Sequence, residues 1–153
     1  MSNEKGLDSL QVWQRSLAFA KLIHNKVLPL FPNEEKWAMT HQLRRSSQSI
    51  AANIAEGYGR YYYQEGVRFC YIARGSLEES YSHLVLANEI NYLPDELLEI
   101  LKNEINELHR MLNGYITFLK RSKRGANEAG APKSFKEEER SYNIDPRNEM
   151  PDP

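Results

Sequence analysis

Four histidines and a single cysteine are the side chains of this sequence best suited to metal or nucleophile chemistry, so their spacing decides which reactions are open to it. A di-iron carboxylate centre in a helical protein takes inward glutamates and two Glu-x-x-His pairs, because residues three apart project from one helix face. The residues three before His24, His41, His83 and His109 are Lys21, Ala38, Ser80 and Asn106, so that pattern is missing, as is a His-x-x-x-His pair for zinc. Glu79 and His83 lie one helical turn apart, a spacing that a surface or interhelical hydrogen bond explains without a metal. Cys70 falls among apolar residues and reads as a packed thiol rather than a nucleophile. The helical-ribonuclease signature, arginine followed after four to six residues by histidine, fails as well. Arg15 to His24 and Arg74 to His83 each have eight residues between them. No glycine-rich phosphate loop follows a strand. The chemistry therefore points to binding, with no enzymatic activity, cofactor, metal or small-molecule substrate expected.

Three groups of residues have types and spacing suited to binding. Gln42, Ser46, Ser49, Asn53, Glu56 and Arg60 recur at steps of four and three, which places them on one helix face beside an apolar line. Two readings fit this stripe. It is a polar network fixing register between helices or subunits, with Arg74 a natural partner for Glu56, or it borders a recognition groove in which Arg44, Arg45 and Arg60 reach phosphates. The run from Tyr58 to Tyr63 packs four tyrosines and Arg60 into six residues. It either covers the end of the fold or a subunit interface, or it forms a platform for unstacked bases. Lys120, Arg121, Lys123 and Arg124 complement the C-terminal dipole of a helix and form a second candidate phosphate contact.

These residues need elements to position them, and hydrophobic periodicity supplies four helices. The first spans about Asp8 to Leu28, with Leu10, Trp13, Leu17, Ala20 and Val27 as its stripe and Val12, Phe19 and Ile23 widening it. Asp8 or Ser9 caps its start, and Pro29 with Pro32 ends it. The second starts after Pro32 with Asn33 as N-cap, carries Met39, Leu43, Ile50 and Ile54, and stops at Gly57 and Gly59. The third covers roughly Tyr62 to Asn91 along Phe69, Ala73, Leu77, Tyr81, Leu84 and Ala87. The fourth opens at Pro94. Its seam of Leu97, Leu101, Ile105, Leu108, Leu112, Tyr115 and Leu119 alternates by four and three for more than three heptads. No alternating run bounded by hairpin turns appears. The prediction is an all-α, antiparallel up-down four-helix bundle over residues 7–120, followed by a disordered charged tail over 121–153.

Composition limits the partners. The chain has 153 residues, enough for one domain with a real core, and a formal net charge of −1, so it lacks the overall basic field of a strong nucleic-acid binder. The charge is uneven, though. His41 to Ser76 holds five arginines against two acids, and Leu77 to Leu108 holds eight acids against Lys102 alone. Nothing resembles a membrane span or a secretory signal. With only Cys70 there is no disulfide framework, and a cytoplasmic protein is expected.

At this point the residues reach a family. Gln42-Leu43-Arg44-Arg45-Ser46-Ser47-Gln48-Ser49-Ile50-Ala51-Ala52-Asn53-Ile54-Ala55-Glu56-Gly57-Tyr58-Gly59-Arg60 resembles the hallmark of the four-helix-bundle proteins encoded in intervening sequences of bacterial 23S ribosomal RNA genes. Leu10 to Trp13, Arg68 to Leu77 and Leu108 to Gly114 agree with that family in order and separation. The resemblance implies an up-down bundle assembling into a homopentamer. It also brings in the accessory variability determinant of diversity-generating retroelements, similar in fold, which binds a reverse transcriptase and nucleic acid through a basic surface. Four positions depart from the family pattern, which usually has proline at Ala51, a capping serine at Tyr62, phenylalanine at Gly66 and a basic residue at Tyr61. Neighbouring tyrosines are expected to fill the gap left at Gly66. The combined expectation is a cytoplasmic, non-enzymatic oligomeric accessory or scaffold that binds structured RNA or a nucleic-acid enzyme. The alternative is an adaptor that contacts protein alone. Arg44, Arg45, Arg60, Arg68, Lys120, Arg121, Lys123 and Arg124 are the anionic contacts, and Asn53, Glu56 and Arg74 serve structure or assembly.

Overall fold

The computed structural model describes residues 6–131 and shows four helices and, among the described residues, no strand. They are α1 (Gln11–Leu22), α2 (Met39–Tyr58), α3 (Tyr63–Glu89) and α4 (Asp95–Ser122). Each packs on its neighbours in sequence, and α4 closes the ring against α1, so the chain forms the up-down bundle expected.

The seam of α4 is buried as its spacing predicts. Leu101, Ile105, Leu108 and Leu112 lie in the core, with Leu98 and Ile116 beside them, and each such side chain contributes about 1.5–3 kcal/mol by leaving water. On α2 the expected line of Met39, Leu43, Ile50 and Ile54 is also buried. On α3, Ala73, Leu77, Leu84 and Ala87 are buried, while Phe69 and Tyr81 are half-buried.

Helix α1 departs from expectation. Its core line is Val12, Ser16, Phe19, Ile23 and Val27, whereas Leu17 is 43% exposed. Ser16 can sit in the core because its hydroxyl donates to the Val12 carbonyl at 2.7 Å, which leaves no polar group unsatisfied. The helix then widens into a π segment, Ile23–Val27, and tightens into a 3-10 turn, Leu28–Leu30, that holds Pro29. The start of α1 has no side-chain cap. Instead, a 3-10 turn over Leu7–Ser9 precedes it, and Gln14 donates to the Asp8 carbonyl.

The start of α2 also differs. Asn33 opens only a 3-10 turn, Asn33–Glu35, and α2 begins at Met39, whose amide donates to Glu35 Oε2 at 3.2 Å. Glu35 is therefore the cap, and the turn between leaves Trp37 81% exposed. Helix α3 ends at Glu89. Asn91, at φ 64, turns the chain so that the amides of Tyr92 and Leu93 reach the Ala87 carbonyl at 2.8 and 3.2 Å.

The closest pairing is α2 with α3, and small residues allow it. The Ser46 and Ser80 hydroxyls lie 2.9 Å apart, and those of Ser49 and Ser76 lie 2.6 Å apart. Near the end of α2, Gly57 faces Gly66. A Cβ on Gly57 would fall 2.8 Å from Phe69 Cβ and 3.0 Å from the Gly66 carbonyl oxygen. Gly75 and Gly114 are different, because a Cβ there would meet nothing within 4 Å. Gly75→Ala and Gly114→Ala should each raise unfolding free energy by about 0.5–1 kcal/mol in urea titrations. A loss instead would reveal another subunit packed on that glycine.

The expected tail boundary at residue 120 is too early. Helix α4 runs to Ser122, and residues 123–131 form turns with contacts described below. The expected disorder of the tail otherwise falls on residues 132–153, which lie outside the described residues.

Candidate anion-binding groove and aromatic hollow

The candidate contacts separate into two clusters. Arg44 and Arg45 lie in the first half of α2, whereas Arg60, Lys120, Arg121, Lys123 and Arg124 gather at the opposite end of the bundle. The rise of a helix puts Arg44 and Arg60 roughly 24 Å apart along the axis. Arg68 is exposed in the second turn of α3.

The first cluster borders a shallow groove of about 370 Å³ lined by His41, Arg44, Arg45, Gln48, Ser49 and Ala52. Among the described residues no carboxylate lines it. The Arg44 guanidinium is exposed and has no partner among the described residues. Arg45 bonds to Gln42 on its own helix and forms an ion pair with Glu79 of α3. That pair is half-exposed, so its exchange for a phosphate costs at most about 1 kcal/mol. Glu79 therefore serves Arg45 more closely than His83, whose Nε2 lies 3.7 Å from it, too far for the hydrogen bond expected between them. His41 and Gln48 line this groove, and sequence reasoning did not single them out as candidates. Their spacing from Arg44 and Arg45 on one helix was the available signal.

The trio assigned to structure does not converge within the chain. Asn53 Nδ2 donates to the Ser49 carbonyl of its own helix at 2.7 Å. Glu56 pairs with Arg60 one turn later, at 2.7 Å, rather than with Arg74. Arg74 donates to Asn113 Oδ1 on α4 at 3.1 Å and lies 4.9 Å from the centre of the Tyr71 ring. The reason is reach: Glu56, in the last turn of α2, and Arg60, just beyond its end, are exposed near neighbours, and Arg74 is turned toward α4.

At the other end the tyrosines border a hollow of about 350 Å³, with Gly57 and Gly66 at its wall. They line the space left at Gly66 and do not fill it, contrary to expectation. Gly66 itself contacts α4, because a Cβ there would lie 3.4 Å from Leu119 Cδ1. Tyr62 starts α3 without a side-chain cap, and its ring meets that of Tyr61 edge-on at 5.3 Å. After α4, Lys123 takes the left-handed conformation at φ 48, and the chain turns back over these rings. The Tyr63 amide donates to the Arg124 carbonyl at 3.1 Å, the Arg124 guanidinium lies 4.9 Å from the centre of the Tyr61 ring, and the Tyr61 hydroxyl bonds to Glu128. Gly125, at φ 78, passes so close to Tyr62 that a Cβ would fall 2.5 Å from its ring. Lys120 lies 5.6 Å from the centre of the Tyr71 ring. Tyr115, read from sequence only as part of the seam, and Phe118, not singled out there, stack at 6.3 Å and complete the hollow from α4.

Cys70 is buried beside this end, and burial pushes its thiol up to about 12. Burial likewise raises the Tyr115 hydroxyl to about 12. Iodoacetamide should alkylate Cys70 in the native protein at less than about a hundredth of its rate in the unfolded chain, since the thiolate is the nucleophile. Equal rates would place the thiol at the surface. Among the described residues no group of three or more histidines, cysteines and carboxylates could hold a metal ion, and no helix is long and apolar enough to cross a membrane.

The arrangement is a four-helix bundle whose distinctive surfaces are a basic groove on one helix and an aromatic hollow at one end. The chain belongs to the 23S rRNA-intervening sequence protein family, whose model matches residues 8–114. It is similar to a crystal structure of a protein of unknown function from the S23 ribosomal protein family of Bacteroides thetaiotaomicron VPI-5482. The two are 30% identical with a TM-score of 0.63, over 69% of this chain and 97% of the other. No curated protein matches the sequence. The family match ends before the Lys120–Arg124 cluster and the turn that follows it.

Proposed function

We propose that the protein is a non-enzymatic, homo-oligomeric accessory bundle of the cytoplasm that binds structured RNA, alone or together with a nucleic-acid enzyme such as a reverse transcriptase. The observation that carries this reading is the α2 groove, where, among the described residues, Arg44 is unpaired, Arg45 and His41 flank it, and no carboxylate lines the wall. Two adjacent guanidiniums on a rigid helix suit phosphate oxygens, and the present partners of Arg45 are exposed and exchangeable. Self-association is supported by the large apolar side chains left in water. Trp37 is 81% exposed, Ile100 54% and Leu86 49%. Exposed aromatic and aliphatic side chains of this size are what a subunit interface removes from water. A pentamer is the assembly the family resemblance implies.

The second reading is an adaptor that contacts protein alone, and the same exposed apolar side chains favour it. Sedimentation of the purified chain with and without a structured RNA separates the two. The RNA reading predicts a particle several times the 17.8 kDa chain mass that carries the RNA with it. An oligomer that leaves the RNA behind at low salt supports the adaptor, and a monomer that ignores RNA sinks both.

A further inference from the structure

We infer that the aromatic hollow at the end of the bundle is a binding site for one unstacked nucleotide, its base held among the tyrosines and its phosphate on Arg60 and Arg124. This deepens the RNA reading but occupies a different surface from the α2 groove. The hollow, at about 350 Å³, falls within the range of small-molecule sites and is bordered by Tyr58, Tyr62, Tyr63, Tyr115 and Phe118. Its wall exists because Gly57 and Gly66 bring α2 and α3 together without side chains, so the space is built by backbone rather than by a loose surface. Aromatic faces bind any base by stacking.

The charge at the rim decides the class of occupant. Arg60 and Arg124 both line the hollow. Arg60 lies over the Phe69 ring at 5.2 Å and is held by an exposed pair with Glu56, while Arg124 rests over Tyr61. A neutral apolar side chain from a protein partner leaves both cations unused, whereas a nucleotide uses the rings and the cations together. The turn after α4 forms part of the wall. Through the Arg124 carbonyl, Gly125 and Glu128 it is fastened to Tyr63, Tyr62 and Tyr61 respectively, so the site is set in place before the ligand arrives. The nucleotide is either free or part of an RNA strand, since both present the same base and phosphate.

The full-length chain titrated calorimetrically with AMP, adenosine and inorganic phosphate, and cross-linked by ultraviolet light to a short single-stranded oligoribonucleotide, tests this directly. Saturable AMP binding, with adenosine and phosphate each at least about tenfold weaker, identifies a free-nucleotide site. Cross-links confined to the peptides holding Tyr58–Tyr63 and Tyr115–Arg124 identify a strand nucleotide. Gly66→Leu, which directs a side chain into the hollow, should abolish either signal. Should that variant not fold, Arg60→Ala with Arg124→Ala, both exposed positions, should weaken AMP at least about tenfold and leave adenosine nearly unchanged. The proposal is overturned if AMP does not saturate and cross-links fall elsewhere, or if binding survives these substitutions. RNA bound at the α2 groove with no cross-link in the hollow removes the hollow and leaves the RNA reading intact. AMP bound in the hollow by a protein that ignores structured RNA does the reverse. Cross-linking blocked by the chain's own residues 132–153, and restored on their removal, shows that the tail occupies the hollow and likewise overturns the proposal.

Discussion

Gly57→Leu is expected to lower the unfolding free energy by roughly 3 kcal/mol, at the upper end of the range for overpacked cores. Gly57 closes the last turn of α2 against α3, and even a methyl group there meets Phe69 Cβ at 2.8 Å and the Gly66 carbonyl at 3.0 Å. Both obstacles are fixed to the α3 backbone, so relief requires the two helices to part. Parting them loosens the serine pairs Ser49–Ser76 and Ser46–Ser80 higher in the same interface. Replacing a helical glycine returns about 1 kcal/mol of propensity, which is too little to offset the clash. Thermal unfolding followed by circular dichroism should show a midpoint about 10 °C lower than wild type. Gly66→Ala provides the contrast, because its Cβ would sit at 3.4 Å from Gly57 and Leu119 and should leave stability nearly unchanged. Equal midpoints for Gly57→Leu and wild type would mean that the α2–α3 crossing is looser than the structure shows.

The second large effect concerns binding. Replacing Arg44 and Arg45 together by alanine should weaken structured-RNA affinity by about 10–100-fold and flatten its salt dependence by about two ions, one for each lost phosphate contact. Among the described residues Arg44 contributes no internal ion pair, and Arg45 contributes only the half-exposed pair with Glu79, so folding should be little affected. Arg110 is a suitable control. It is exposed on α4, and its partner Glu107 lies on the same helix. Arg110→Ala should leave RNA affinity within about twofold. A uniform loss in both variants would indicate a response to net charge rather than to the α2 groove.

How far the sequence revealed this molecule depended on whether burial and apolarity coincide. They do on α4, where Leu101, Ile105, Leu108 and Leu112 are all apolar and all buried, and the seam was read correctly. They part on α1, where the core line passes through Ser16, whose hydroxyl is satisfied inside its own helix. A period search therefore favoured Leu17, which faces water. The start of α2 was misplaced because the cap is Glu35, acting four residues ahead of Met39 instead of at the usual adjacent position. The resemblance to the intervening-sequence family, carried by the stretch from Gln42 to Arg60, was legible and agrees with the match over residues 8–114.

For the candidate site, residue type was legible and partnership was not. Arg44 and Arg45 stood out as adjacent cations, but nothing in their spacing revealed Glu79 across the helix interface. Glu56 and Arg74 looked complementary by charge, yet Glu56 pairs with Arg60 four residues on, and only the packing of α3 on α4 reveals Asn113 as the partner of Arg74. The tyrosine run was singled out, either as a cover for the end of the fold or a subunit interface or as a platform for bases, and the structure sets it beside a hollow. Its depth comes from Tyr115 and Phe118, more than fifty residues later, and from the turn after α4 that carries Arg124 and Glu128.

The most direct measurement is the affinity of the wild-type protein for a structured RNA across a series of salt concentrations. An RNA-binding accessory bundle predicts measurable binding at low salt and a linear fall of log affinity with log salt, steep enough to require several phosphate contacts. Absence of binding at low salt by a folded oligomer would contradict it and turn attention to protein partners of the exposed apolar surface.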